Sequence, residues 1–170
     1  QQFGDDISVS LYKSADKFLQ QAIQTPPDVV GMSVYMWNKA LSQYVAKRMR
    51  EMFGNDVIII IGGPTIDSDK EEQRNFLQNS FPMVDGIVVN EGEISFSNII
   101  KKVLGNRKTV FRDPIDGLSY LEGDNLIQGR PNPLTMDLST MKSPFLSGLL
   151  DEFMNSDYQP LIQTSRFCPY

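Results

Sequence analysis

Residues 57–61 read Val-Ile-Ile-Ile-Ile, five β-branched side chains in an unbroken row. Such a row keeps no polar face for water, so it predicts a strand covered on both sides, as inner strands of parallel sheets are. Covering both faces takes helices, and the flanking sequence offers them. One helix starts at Ser14, a plausible N-cap, sets Phe18, Leu19, Ala22 and Ile23 on one face, and stops at Pro26-Pro27. A second begins near Asn38, carries Leu41, Val45, Met49 and Phe53 inward, and ends at Gly54. A polar third covers 70–79 with Phe76 and Leu77 facing in, and a fourth bears Phe96, Ile99, Ile100 and Val103 before Gly105. Strands are expected at 7–11, where Ile7, Val9 and Leu11 alternate with serines, and at 29–34 and 87–89. Strands alternating with helices of this length imply βαβ crossovers. The expected fold class is α/β, a Rossmann-like, flavodoxin-like doubly wound parallel sheet.

Beyond 109–111 the alternation stops. Residues 117–121 and 126–128 flank Glu122-Gly123-Asp124-Asn125, the pattern of a hairpin. Residues 129–144 hold three prolines and few periodic apolar positions, which suits an extended connector. A short helix is expected within 145–158 and a last strand at 160–163.

Composition narrows the function classes. Lys and Arg number 16 against 21 Asp and Glu, a net charge of −5 with no basic block, which argues against nucleic acid or an anionic membrane as partner. No apolar run approaches bilayer length. With no histidine, the chain offers no imidazole base, no Ser-His-Asp triad, no mixed zinc site and no imidazole for a cobalt. The single cysteine, Cys168, has no disulfide partner in the chain, and this usage points to the cytoplasm.

Ligands of open parallel sheets sit outside the carboxyl ends of the strands. Three such ends are legible: 31–38 around Ser33, Val34, Tyr35, Trp37 and Asn38; Gly62-Gly63-Pro64; and Asn90-Glu91-Gly92-Glu93. Each has a bland reading. Paired glycines mark a turn with unusual backbone angles, Glu91 and Glu93 favour the positive end of a helix, and Trp37 is a packed aromatic. Taken together they favour a large, partly apolar ligand with a polar rim. Pro64 has no N–H to offer a phosphate, whereas glycines admit a bulky flat ligand, Ser33 hydrogen-bonds, and Tyr35 or Trp37 packs on an apolar face.

In that order and spacing, the run 27–38, Gly62-Gly63-Pro64 and Glu91-Gly92-Glu93 resemble the cobalamin-binding domain of cobalamin-dependent radical S-adenosylmethionine proteins. Residues 143–153 resemble the linker into the barrel of those proteins, and Ser165-Arg166-Phe167-Cys168-Pro169-Tyr170 resembles its first cluster loop, with Phe167 where the family has glycine. The resemblance implies a corrin held against the strand ends by Ser33, Val34, Tyr35, Trp37, Asn38, Gly62, Gly63, Pro64, Glu91, Gly92 and Glu93, none with a bond-breaking role. It implies Cys168 as first ligand of a 4Fe-4S cluster completed beyond Tyr170, with cluster and S-adenosylmethionine belonging to the longer protein.

The expected organisation is an N-terminally incomplete cobalamin-binding domain at 1–112, hairpin and linker at 113–159, and the start of the barrel at 160–170. The expected function is the cobalamin-binding module of a radical S-adenosylmethionine enzyme, possible methyltransferase, with no complete catalytic site of its own. Its partner is the downstream barrel of the same chain. The alternatives are a scaffold or substrate-presenting domain without cobalamin, and a nucleotide-binding domain of a sugar-nucleotide transferase, whose phosphate loop Pro64 fits poorly. In the 2-1-3-4-5 strand order, a missing first strand leaves a slot beside 29–34. The slot is expected to close by direct pairing of 7–11 with 29–34, or by a strand exchanged within a homodimer.

Overall fold

The computed structural model describes residues 3–133, 139, 141, 143–154 and 159. Its contacts divide the chain into two units, 1–132 and 133–170. The first unit is built on a five-stranded sheet in the order β1 (Val29–Ser33), β2 (Ile58–Gly62), β3 (Gly86–Val88), β4 (Leu118–Glu122) and β5 (Asn125–Gln128). β1, β2 and β3 run parallel, whereas β4 joins β3 antiparallel and β5 closes the hairpin. The hairpin is thus part of the sheet, on the edge of β3.

The isoleucine run behaves as its chemistry dictates. Ile58 and Ile60 face a layer with Ile99 of α4 (Gly92–Asn106), Val110 and Ile115. Ile59 packs with Val45, Ala46 and Met49 of α2 (Lys39–Phe53) and Ala22 of α1 (Ala15–Gln24), while Ile61 meets Leu77 and Phe81. All four isoleucines are at most 5% exposed, so successive side chains fill opposite layers and the strand has no wet face. At about 25 cal/mol per Å² of apolar surface, this run is a principal source of stability. α3 (Lys70–Asn75) passes into a π-helical turn, Phe76–Ser80, which delivers Leu77.

Ser14 caps α1, its hydroxyl accepting from the Lys17 N–H at 3.4 Å. Two helix faces differ from expectation. Ile23 is 66% exposed and Leu41 is 52% exposed, because each lies one position round from a buried residue of its helix, Ala22 in α1 and Ser42 in α2.

The larger correction is at residues 7–11, which form no strand. Val9 is 59% exposed and Leu11 is 39% exposed. Their alternation specifies a two-faced segment, but a strand also needs a neighbour for its N–H and C=O groups. Among the described residues β1 pairs only with β2, so direct pairing of 7–11 with β1 does not occur. Even-numbered residues of β1 address β2, as the bonds from Ile58 N–H to Asp28 O (3.0 Å) and Val34 N–H to Gly62 O (2.7 Å) show. The backbone groups of Val29, Gly31 and Ser33 therefore turn to the open edge.

In the second unit, Asp151–Met154 forms a short helix, α5. The strand expected at 160–163 and Cys168 lie outside the described residues.

Candidate functional site

Because β1, β2 and β3 are parallel, their carboxyl ends lie along one edge of the sheet. Ser33 and Gly62 are the last residues of β1 and β2 and stand side by side in register. The loops beyond them are bonded to each other. Val34 N–H donates to Gly62 O, and the Thr65 hydroxyl donates to Val34 O at 3.0 Å. β3 continues the edge, since a Cβ at Gly62 would touch Val88 at 3.6 Å. The third loop follows at once: Asn90 in the left-handed region (φ 64°), Glu91 as N-cap, and Gly92 as the first residue of α4. All three segments singled out from the sequence thus share one end of the sheet.

Their roles within it differ. Asn38 organises the first loop: its Oδ1 accepts from the Tyr35 N–H at 2.7 Å and its Nδ2 donates to Ser33 O at 2.9 Å. Val34 is fully buried, with N–H and C=O both spent on the second loop. These two residues hold the platform. Tyr35 and Trp37 present its surface, ring over ring at 4.5 Å and 17° between planes, with Trp37 80% exposed and Met36 84% exposed. The Ser33 side chain, Pro64 and Glu93 are exposed as well, while Glu91 is half-buried.

The glycine pair needs a different account from open ligand approach. Gly63 has φ 118°, and a Cβ there would lie 2.5 Å from Val34 O and 3.0 Å from Val34 N. The missing side chain makes room for the first loop's backbone, so Gly63 joins two loops. Close approach from outside is available instead at Gly92, where a Cβ would meet nothing within 4 Å. Thr65 joins the site as well, and its only local signal is a hydroxyl three residues past the strand-end glycine Gly62.

A separate groove of about 400 Å³ lies between α3 and β5, lined by Lys70, Glu71, Arg74, Asn125, Leu126 and Gln128. None of the three loops contributes to it.

The donor set at the strand ends can be tested against a corrin, which is broad, apolar on its faces and fringed by amides. An exposed stacked aromatic pair suits the faces, and an exposed hydroxyl and carboxylate suit the fringe. The open space above Gly92 admits the bulk. The residues present fit.

Comparison with known proteins agrees. The family model described as "B12 binding domain" matches residues 4–100, which contain all three loops. The chain is 29% identical over 150 residues to a cobalamin-dependent radical SAM methyltransferase, TokK, from Streptomyces tokunonensis, covering 85% of this chain and 21% of that protein. It is likewise 29% identical over 152 residues to a 2-(S-pantetheinyl)-carbapenam-3-carboxylate methyltransferase from Streptantibioticus cattleyicolor, covering 86% of this chain and 21% of that protein. The chain thus spans about a fifth of the length of these relatives. No solved structure gives a significant match. With more than half of its residues inside the matched span, the chain belongs to the B12 binding domain family.

Proposed function

We propose that the chain is the cobalamin-holding module of a larger radical S-adenosylmethionine enzyme, a methyltransferase by likeness to its relatives. The observation that carries this reading is the grouping of 33–38, 62–64 and 90–93 at one end of three parallel strands, inside the span of the family match. Cobalamin, when bound, supplies a cobalt centre able to carry a transferable group. The protein's part is to bind and orient it. Tyr35 and Trp37 would pack on an apolar face, Ser33 and Glu93 would meet polar side groups, and the surface above Gly92 would receive the bulk. Cys168 would provide the first ligand of a 4Fe-4S cluster in a barrel that starts at 160–170, and the barrel would cover this face. A single cysteine and no helix among the described residues long and apolar enough to cross a membrane favour a cytoplasmic protein.

Titration with hydroxocobalamin tests the face. Trp37→Ala is expected to weaken binding about three- to tenfold, the value of one aromatic contact. Gly92→Leu should weaken it by more than about tenfold, a steric cost above ~1.4 kcal/mol. Both should keep the native circular dichroism, since neither side chain enters the core. Unchanged affinity in both variants would remove this face from consideration.

The open edge of β1 favours one further reading. Val29-Val30-Gly31-Met32-Ser33 carries no charge or proline, the usual guards of an exposed edge. In the isolated chain a strand from a second copy would complete it, giving the exchanged homodimer. Sedimentation velocity should show concentration-dependent dimers; a monomer throughout the micromolar range excludes them.

A further inference from the structure

Ser95 is fully buried on α4, one turn past Glu91, on the stripe that also carries Ile99. A hydroxyl at such a position needs partners, and it has two. Its Oγ donates to the Glu91 carbonyl at 3.0 Å and accepts from Asn132 Nδ2 at 2.9 Å. Asn132 follows the β5 strand and its ladder extension, in which Gly129 N–H donates to Leu118 O and Gly117 N–H donates to Arg130 O, both at 2.9 Å. Arg130 is paired with Asp116 at 2.8 Å, and this guanidinium holds the Asp116 carboxyl below the usual carboxylate range. Asn98 Nδ2 reaches the Asp116 carbonyl at 3.4 Å from the next turn of α4. Gly117 makes the approach possible. It sits at φ 82°, and a Cβ there would fall 2.1 Å from Ser95 Oγ and 2.3 Å from Asn132 Nδ2.

We infer that Ser95 and Asn132 are positioning residues for the cobalamin face: through the Glu91 carbonyl they set the orientation of the 90–93 loop. The inference rests on the reading of that face given above. Within that loop Asn90 holds a left-handed conformation (φ 64°) and Glu91 is the N-cap of α4, so the carbonyl that Ser95 holds lies at the junction of loop and helix. Without the Asn132 amide, Ser95 can rotate away from the Glu91 carbonyl, and the first turn of α4 loosens where the ligand would meet it.

The test uses the whole chain and two readouts, amide hydrogen exchange at 90–95 and the dissociation constant for hydroxocobalamin. Asn132→Ala and Gly117→Ala should each speed exchange at 90–95 and raise the dissociation constant about three- to tenfold, the effect of one net hydrogen bond. Exchange in β1 and β2 should stay as in the parent. Gly123→Ala is the control, since Gly123 has a comparable φ of 60° in the β4–β5 turn but its Cβ would meet nothing within 4 Å. It should strain the backbone without altering exchange at 90–95 or affinity. Unchanged exchange at 90–95 in Asn132→Ala, or an equal rise in Gly123→Ala, overturns the inference. A chain that binds no hydroxocobalamin refutes the cobalamin face, while the exchange measurement still decides whether Asn132 governs the loop.

Discussion

Gly63→Val is expected to lower the stability of the first unit by about 3 kcal/mol or more, and so to abolish ligand binding through loss of structure. Two costs add. The backbone at φ 118° lies where side chains with a Cβ are strained, at about 1–3 kcal/mol. The Cβ itself would stand 2.5 Å from Val34 O, against backbone that two hydrogen bonds hold in place. Overpacking of that kind typically costs a further ~1–3 kcal/mol. Its neighbour provides the contrast: Gly62→Ala would place a Cβ 3.6 Å from Val88, an ordinary contact, and should cost less than about 1 kcal/mol. Urea unfolding followed by circular dichroism separates the two. A wild-type midpoint for Gly63→Val would mean that the first and second loops are not joined as described.

The geometry around these glycines separates what the sequence conveys about the site from what it withholds. The positions of the three loops follow from local signals, since strands that run apolar and end in Gly, Ser or Asn announce their own carboxyl ends. The purpose of each glycine does not. Gly62, Gly63 and Gly92 look alike as letters, but one touches a strand, one touches a backbone loop and one faces open space. Those distinctions arise between residues 26 or more positions apart, Gly62 with Val88 and Gly63 with Val34. Ser95 and Asn132, 37 residues apart, were invisible for the same reason. A serine on the buried stripe of a helix was the only local hint of them.

The fold divides along the same line. The isoleucine run determined its own environment, because a segment with no polar face has a single way to be buried. Residues 7–11 carry an equally clear alternation and yet form no strand, since period two selects a face and leaves the partner unspecified. The hairpin at 118–128 was recognisable from its turn. Its attachment to β3, through Ile87 opposite Ser119 and Val88 opposite Leu118, depends on Ser119 and Leu118 both being buried, which no local pattern announces.

Arg50→Met is expected to destabilise the chain by about 3 kcal/mol while leaving the affinity of correctly folded protein for hydroxocobalamin unchanged within about twofold. Arg50 lies in the last turn of α2, at the amino-terminal ends of the strands, opposite the loops. Its Nε and Nη2 donate to Met83 O at 3.1 and 2.9 Å, and its Nη1 donates to Gly54 O at 2.7 Å and Val57 O at 3.2 Å. Nη2 also pairs with Asp85 Oδ2 at 2.8 Å, and the same oxygen accepts from the Ile59 N–H at 2.7 Å. One planar guanidinium thus fastens the entrances of β2 and β3 to the end of α2. Both charged side chains are largely covered, 17% and 27% exposed, so removing the cation takes that donor from a part-buried carboxylate and from the part-buried bond to Val57 O. Lysine should not rescue, because a single ammonium cannot span the fork. Asp85→Asn keeps an oxygen for Ile59 and should cost only about 1–2 kcal/mol. The double variant should lose less than the two singles combined, because the stranded charge is gone. Strict additivity in urea titrations would break the network account, and a parallel loss of cobalamin affinity by folded Arg50→Met would place this clamp within reach of the site.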